Sequence, residues 1–93
     1  MPSVAPINFD KVKKEEVDKE ILRFGMSAEL DAISLYEQLA AATDNKNIRT
    51  MLLDIAKEEK THLGEFQALL LKLDQEQVEE LAAGGKEVAE KTE

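Results

Sequence analysis

The 93-residue sequence contains no cysteine and no tryptophan, has one tyrosine and three phenylalanines, and confines its two prolines to the first six positions. The lack of cysteine excludes a disulfide framework, a thiolate metal site and a cysteine nucleophile, and is compatible with a reducing interior. No run of about 18 apolar residues exists. The opening "MPSVAPINFD" lacks the basic start and apolar middle of a secretory signal, so neither membrane insertion nor export is supported and a cytoplasmic protein is expected. Positive charge is also scarce: 12 basic residues stand against 20 acidic ones, a formal net charge of −8, with lysines interleaved among glutamates. Such a chain repels phosphate backbones, which argues against nucleic acid as a partner. At this length it is at most one small domain, able to bury only a modest core, and a protein partner is expected.

What is present is helix-forming sequence. Neither proline nor a glycine cluster interrupts residues 14–43, and Gly25 is the single weak point in one long predicted helix. "TDNKN", Thr43 to Asn47, concentrates turn and cap residues, so the chain should reverse there into a second helix over 46–73. Asp74 can cap a short third helix over 75–83, which Gly84 and Gly85 should stop. Residues 1–13 are read as a flexible N-terminal segment, 14–83 as the domain, and 84–93 as a linker or tail. The expected fold is all-α: an antiparallel two-helix hairpin with a short third helix.

On the second helix Ile48, Leu52, Ile55, Glu59, His62, Phe66, Leu69 and Leu73 follow alternating steps of four and three, the spacing of one packed face. Two of these eight positions are polar. The first helix repeats the pattern with Leu22, Gly25, Glu29, Ala32, Tyr36 and Leu39, again broken by one carboxylate. Gly25 and Ala32 leave little bulk either side of Glu29, which would give ions room and explain the glycine. A lone glutamate in a packed apolar seam costs several kcal/mol unless a cation or donors meet it, and neither seam holds a lysine or arginine. Two carboxylates and an imidazole form a ligand set for iron, manganese or zinc. Glu29 and Glu59 lie at similar distances from the turn, so an antiparallel hairpin brings them level.

One hairpin supplies only three ligands and cannot enclose a site. A homodimer of hairpins supplies four glutamates and two histidines in a four-helix bundle, the arrangement in which two helices give one glutamate each and two give Glu-x-x-His. Four carboxylates then balance two ferrous ions. The Glu-x-x-His spacing alone is weak, because 14 of the 93 residues are glutamate. A bland alternative stays open: a polar layer that only fixes pairing register in a dimerisation module. Tyr36 reads as core with its hydroxyl at the edge, or as a ligand or redox residue beside the site. Glu58, Glu65 and Asp31 read as solvated, Met26 and Met51 as core, and "ALLLKL" as hairpin core or interface.

With these residues in place, "AELDAISLYEQLA", "LLDIAKEEKTHLGEF" and "LLLKLDQEQVEEL" together resemble the encapsulated ferritin family, ferritin-like half-domains carried inside or fused to encapsulin shells. The resemblance implies a ferroxidase with two irons held between two chains by Glu29, Glu59 and His62 of each, Glu59 bridging and Tyr36 close by. Calcium, zinc or manganese would be surrogates for iron in crystals. It further implies a ring of dimers, typically a decamer, that oxidises iron and hands it to the encapsulin shell for storage, placing the chain in a cytoplasmic nanocompartment. Ala28 stands where some members have an additional acidic residue, so the resemblance leaves an accessory metal site there open. "GGKEVAEKTE" reads better as the linker of a shell fusion than as a shell-docking peptide, which leaves free cargo and excised fusion both open. A peroxide-reducing di-iron protein like rubrerythrin is the alternative enzyme; without cysteine it lacks the usual iron-sulfur relay and needs another donor.

Overall fold

A computed structural model describes residues 8–93, and among them every regular element is helical. Two 3-10 turns, Phe9–Lys11 and Lys14–Glu16, lead into α1, Val17–Ala42; α2 spans Lys46–Leu73 and α3 spans Gln75–Lys91. Of the segment expected to be flexible, residues 1–7 lie outside the described residues, while Asn8 caps the first turn by accepting a hydrogen bond from the Asp10 amide at 3.1 Å.

The reversal between α1 and α2 is closed by its own polar side chains. Asn45 caps α2, its Oδ1 accepting from the amides of Asn47 at 3.0 Å and Ile48 at 3.1 Å. Arg49 reaches back from the first turn of α2 and donates to the carbonyls of Ala40 and Thr43, satisfying two acceptors at the C-terminal end of α1. The second corner uses an acid twice. Asp74 caps α3 through the Gln77 amide at 3.0 Å, and its other oxygen accepts from Arg23 of α1 at 3.1 Å. Arg23 also holds Glu20 at 2.7 Å, so one guanidinium fastens the α2–α3 corner to the hairpin.

α1 and α2 pack along their lengths, and α3 meets the hairpin chiefly at the end of α2. The described residues span 47 × 41 × 19 Å, so the body is two helix diameters thick at its thinnest. Such a layer has little interior. Among the described residues only Ala40, Ala56 and Leu70 are buried, whereas Ile48, Leu69 and Leu73 of the α2 seam remain about half exposed, at 50, 52 and 49 %. Met51, expected in the core, is exposed, because it points off the hairpin rather than between its helices. Within "ALLLKL", Leu70 enters the core and Leu69 and Leu73 do not.

α3 does not stop at Gly84. It continues through both glycines to Lys91, where the Thr92 amide and hydroxyl both donate to the Val88 carbonyl, at 3.0 and 2.6 Å. A glycine ends a helix by entering the left-handed region, and no described glycine has positive φ. Within a helix each costs about 1 kcal/mol relative to alanine, a weakness that does not break the hydrogen-bond ladder. Open space surrounds the missing Cβ of both. Replacing Gly84 and Gly85 by alanine should therefore stabilise the end of α3 by about 1 to 2 kcal/mol. Slower amide hydrogen exchange over residues 86–91 would register it; unchanged exchange would mean that this end is held by something other than its own helix.

Candidate metal centre

α1 contributes Glu29, and the middle of α2 contributes Glu59 and His62, one turn apart on the same face. Each offers one ligand atom, and these atoms all lie within 4.8 Å of one another. Nδ1 of His62 stands 3.4 Å from Oε2 of Glu59 and 3.7 Å from Oε2 of Glu29. The two carboxylate side chains are mostly covered, at 17 and 19 % exposure, while the imidazole is 47 % exposed. The hairpin thus seats the acids within it and turns the histidine to its surface.

Oε2 of Glu29 is buried without a hydrogen-bond partner, and among the described residues no other half-buried or buried side-chain polar atom is in that position. Basic groups lie elsewhere: Lys60 pairs with Glu37 at 2.9 Å, and Arg23 is committed to Glu20 and Asp74. Among the described residues no lysine or arginine forms an ion pair with Glu29 or Glu59. An acceptor left in this state costs about 1 to 3 kcal/mol, more when charged. Two carboxylate oxygens and an imidazole nitrogen meeting around it suit a divalent first-row metal in charge and donor type. The residues therefore fit the ion that their pattern implies.

The orphaned oxygen yields a prediction with opposite signs in two conditions. In chelator, Glu29→Gln should raise thermal stability by about 1 kcal/mol, since the amide removes a charge and adds donors facing Glu59. With a divalent metal the order should reverse, because the parent gains binding energy that the variant has lost. Melting curves with and without metal check both arms; a variant less stable than the parent in chelator contradicts the account.

The other residues singled out in the sequence fall outside this cluster. Tyr36 is half-buried on α1 two turns beyond Glu29, about 10 Å further along the axis. Glu58 and Glu65 are exposed as expected; Asp31, expected in solvent, is half-buried and makes an interaction of its own. Gly25 requires a larger correction. The space above it is filled: a Cβ there would lie 2.9, 3.0 and 3.1 Å from three ring atoms of Phe66. The glycine accommodates an aromatic ring from α2 rather than ions. Sequence reasoning had Phe66 on the seam but assigned it nothing beyond packing, since spacing along one helix does not reveal its partner on the other.

Known proteins carry the same hairpin. The rubrerythrin family profile matches residues 20–93. A crystal structure of an encapsulated ferritin domain from Pyrococcus furiosus superposes with a TM-score of 0.82 and 56 % identity, covering 95 % of this chain and 92 % of that one. The chain belongs to the encapsulated ferritins, within the rubrerythrin family. A ferritin-like-encapsulin shell fusion protein of Pyrococcus furiosus is 55 % identical over 99 % of this chain, which spans 27 % of that protein's length. An encapsulin nanocompartment cargo protein, EncC, of Myxococcus xanthus is 37 % identical over 98 % of this chain, covering 68 % of the cargo protein. Membership in the family accounts for the all-helical hairpin, and no helix among the described residues is long and apolar enough to cross a membrane.

Proposed function

We propose that the chain is a ferroxidase whose centre is completed by a second copy of itself, and that it works with an encapsulin shell as fused domain or cargo. The observation that carries this reading is the orphaned Glu29 oxygen, facing Glu59 and His62 with no basic residue in attendance. The apolar seam residues left exposed toward the two ends of α2, Ile48, Leu69 and Leu73, support the second copy, because a lone hairpin leaves them in water. Paired across a two-fold axis, the hairpins supply four glutamates and two histidines, the ferritin-like complement for two irons. The named associations of the Pyrococcus and Myxococcus relatives with encapsulin support the shell as partner and a cytoplasmic nanocompartment as location.

Ferrous ions are the substrate, and each supplies one electron to oxygen when bound. The protein's part is electrostatic and positional. Glu29 and Glu59 neutralise the incoming cations from a mostly covered position, where carboxylates attract more strongly than in bulk water. His62 adds a nitrogen donor whose basicity tunes the redox potential. No general base or covalent nucleophile takes part. A ring of such dimers has no closed cavity of its own, so the ferric product passes to the shell for storage.

The test is anaerobic titration of ferrous ions followed by air. Saturation near one iron per chain is expected, then a rise in ferric absorbance faster than in protein-free buffer. A rise no faster than in buffer would overturn the assignment.

A further inference from the structure

The layer next to the ligands is built on one close contact. Phe66 lies against the bare backbone of Gly25, in a space where a Cβ would meet three of its ring atoms, whereas Gly64, Gly84 and Gly85 have nothing within 4 Å of that position. Gly25 precedes Glu29 by four residues on α1, and Phe66 follows His62 by four on α2. Because the helices are antiparallel, both steps run in the same direction, and the Gly25–Phe66 layer sits one turn, about 6 Å, from the Glu29–His62 layer.

Helical side chains lean toward the N-terminus of their own helix. Phe66 therefore leans toward the turn that carries His62, and Glu29 leans toward Gly25. Both lean toward the space between the two layers. The burial pattern is compatible with a cover there, since Oε2 of Glu29 has lost its access to solvent while His62 keeps 47 % of its side-chain surface.

We infer that Phe66, seated on Gly25, is a positioning residue for Glu29: the ring sets the separation of α1 and α2 one turn from the ligands and keeps water from the carboxylate that a metal would meet. The inference rests on the metal-centre reading above. A glycine at position 25 is needed because any Cβ displaces the ring by a few tenths of an ångström, and the displacement is passed to the adjacent ligand layer, helix interiors being close-packed.

Cobalt(II), followed by its visible ligand-field bands, tests this on the whole chain. The Gly25→Ala protein should bind cobalt roughly tenfold more weakly than the parent, with altered bands, which is the size of loss seen when residues supporting metal ligands are changed. Adding Phe66→Leu to Gly25→Ala should restore affinity and spectrum, because the shorter side chain leaves the volume that the new methyl takes. Equal affinity and bands in Gly25→Ala and parent would overturn the inference, as would a double variant that stays weak. If circular dichroism shows Gly25→Ala unfolded, Phe66→Leu alone decides: weaker binding supports the positioning role and unchanged binding overturns it. Absence of cobalt bands in the parent, or bands untouched by Glu59→Ala, overturns the metal centre and this inference together; bands lost in Glu59→Ala but unaffected at position 25 overturn this inference alone.

Discussion

Glu59→Ala and His62→Ala proteins should oxidise ferrous ions no faster than protein-free buffer, a loss of at least about 100-fold, while Glu58→Ala and Glu65→Ala remain close to the parent. Changes to residues that merely support a metal ligand typically cost ten- to a hundredfold, and removing a ligand costs at least as much. In the proposed two-fold dimer the damage is doubled, because each substitution deletes two of the six ligands of the shared centre. Glu58 and Glu65 flank the same stretch of α2 and carry the same charge, but both are exposed and lie outside the cluster of Glu29, Glu59 and His62. If activity followed local negative charge alone, all the glutamate variants would weaken alike. Stopped-flow ferric absorbance separates the outcomes, and parental rates in Glu59→Ala would remove the proposed centre.

The hairpin was legible because its signals are local. Asn45 stands one residue before α2 and caps it with its own side chain, as the "TDNKN" stretch predicts, and α2 covers 46–73 as read. The meeting of Glu29, Glu59 and His62 was legible for a related reason. A polar residue on an apolar seam is conspicuous in one dimension, and equal distances from a turn convert directly into equal heights along antiparallel helices.

What escaped the sequence depends on partners across space. Gly25 accommodates the Phe66 ring, a contact between residues 41 positions apart that no spacing rule along either helix encodes. The end of α3 was misplaced because a glycine pair halts a helix only if one residue turns left-handed, and local sequence does not decide that. Nothing local in the sequence marks Arg23, which binds Asp74 across 51 positions and so sets the corner from which α3 departs. Seam periodicity also identified Ile48, Leu69 and Leu73 as a packing face without saying that a single hairpin would leave them half in water.

That exposed face leads to the other large effect: Leu69→Lys should dissociate the proposed dimer and abolish metal binding with every ligand intact. Leu69 lies seven residues after His62, two turns along the same face, and is 52 % exposed in the single chain. A lysine there is harmless to a solvated hairpin, because its stem lies along the apolar surface while the ammonium stays in water. At a packed interface it is costly, since a buried unpaired charge costs several kcal/mol and the two-fold axis introduces it twice. In the proposed centre metal and dimer are linked, so loss of either weakens the other. Four crowded carboxylates destabilise the metal-free pair, and an ion bound at 100 times its Kd returns about 2.7 kcal/mol. Light scattering of the parent should accordingly show a larger mass with ferrous or cobalt ions than in chelator, and Leu69→Lys should show the smaller mass in both. A Leu69→Lys protein with the smaller mass that still holds its metal would mean that the ligands are satisfied within one hairpin, and the shared centre would have to be abandoned for a mononuclear one; one that keeps the parent's larger mass would place Leu69 outside the interface.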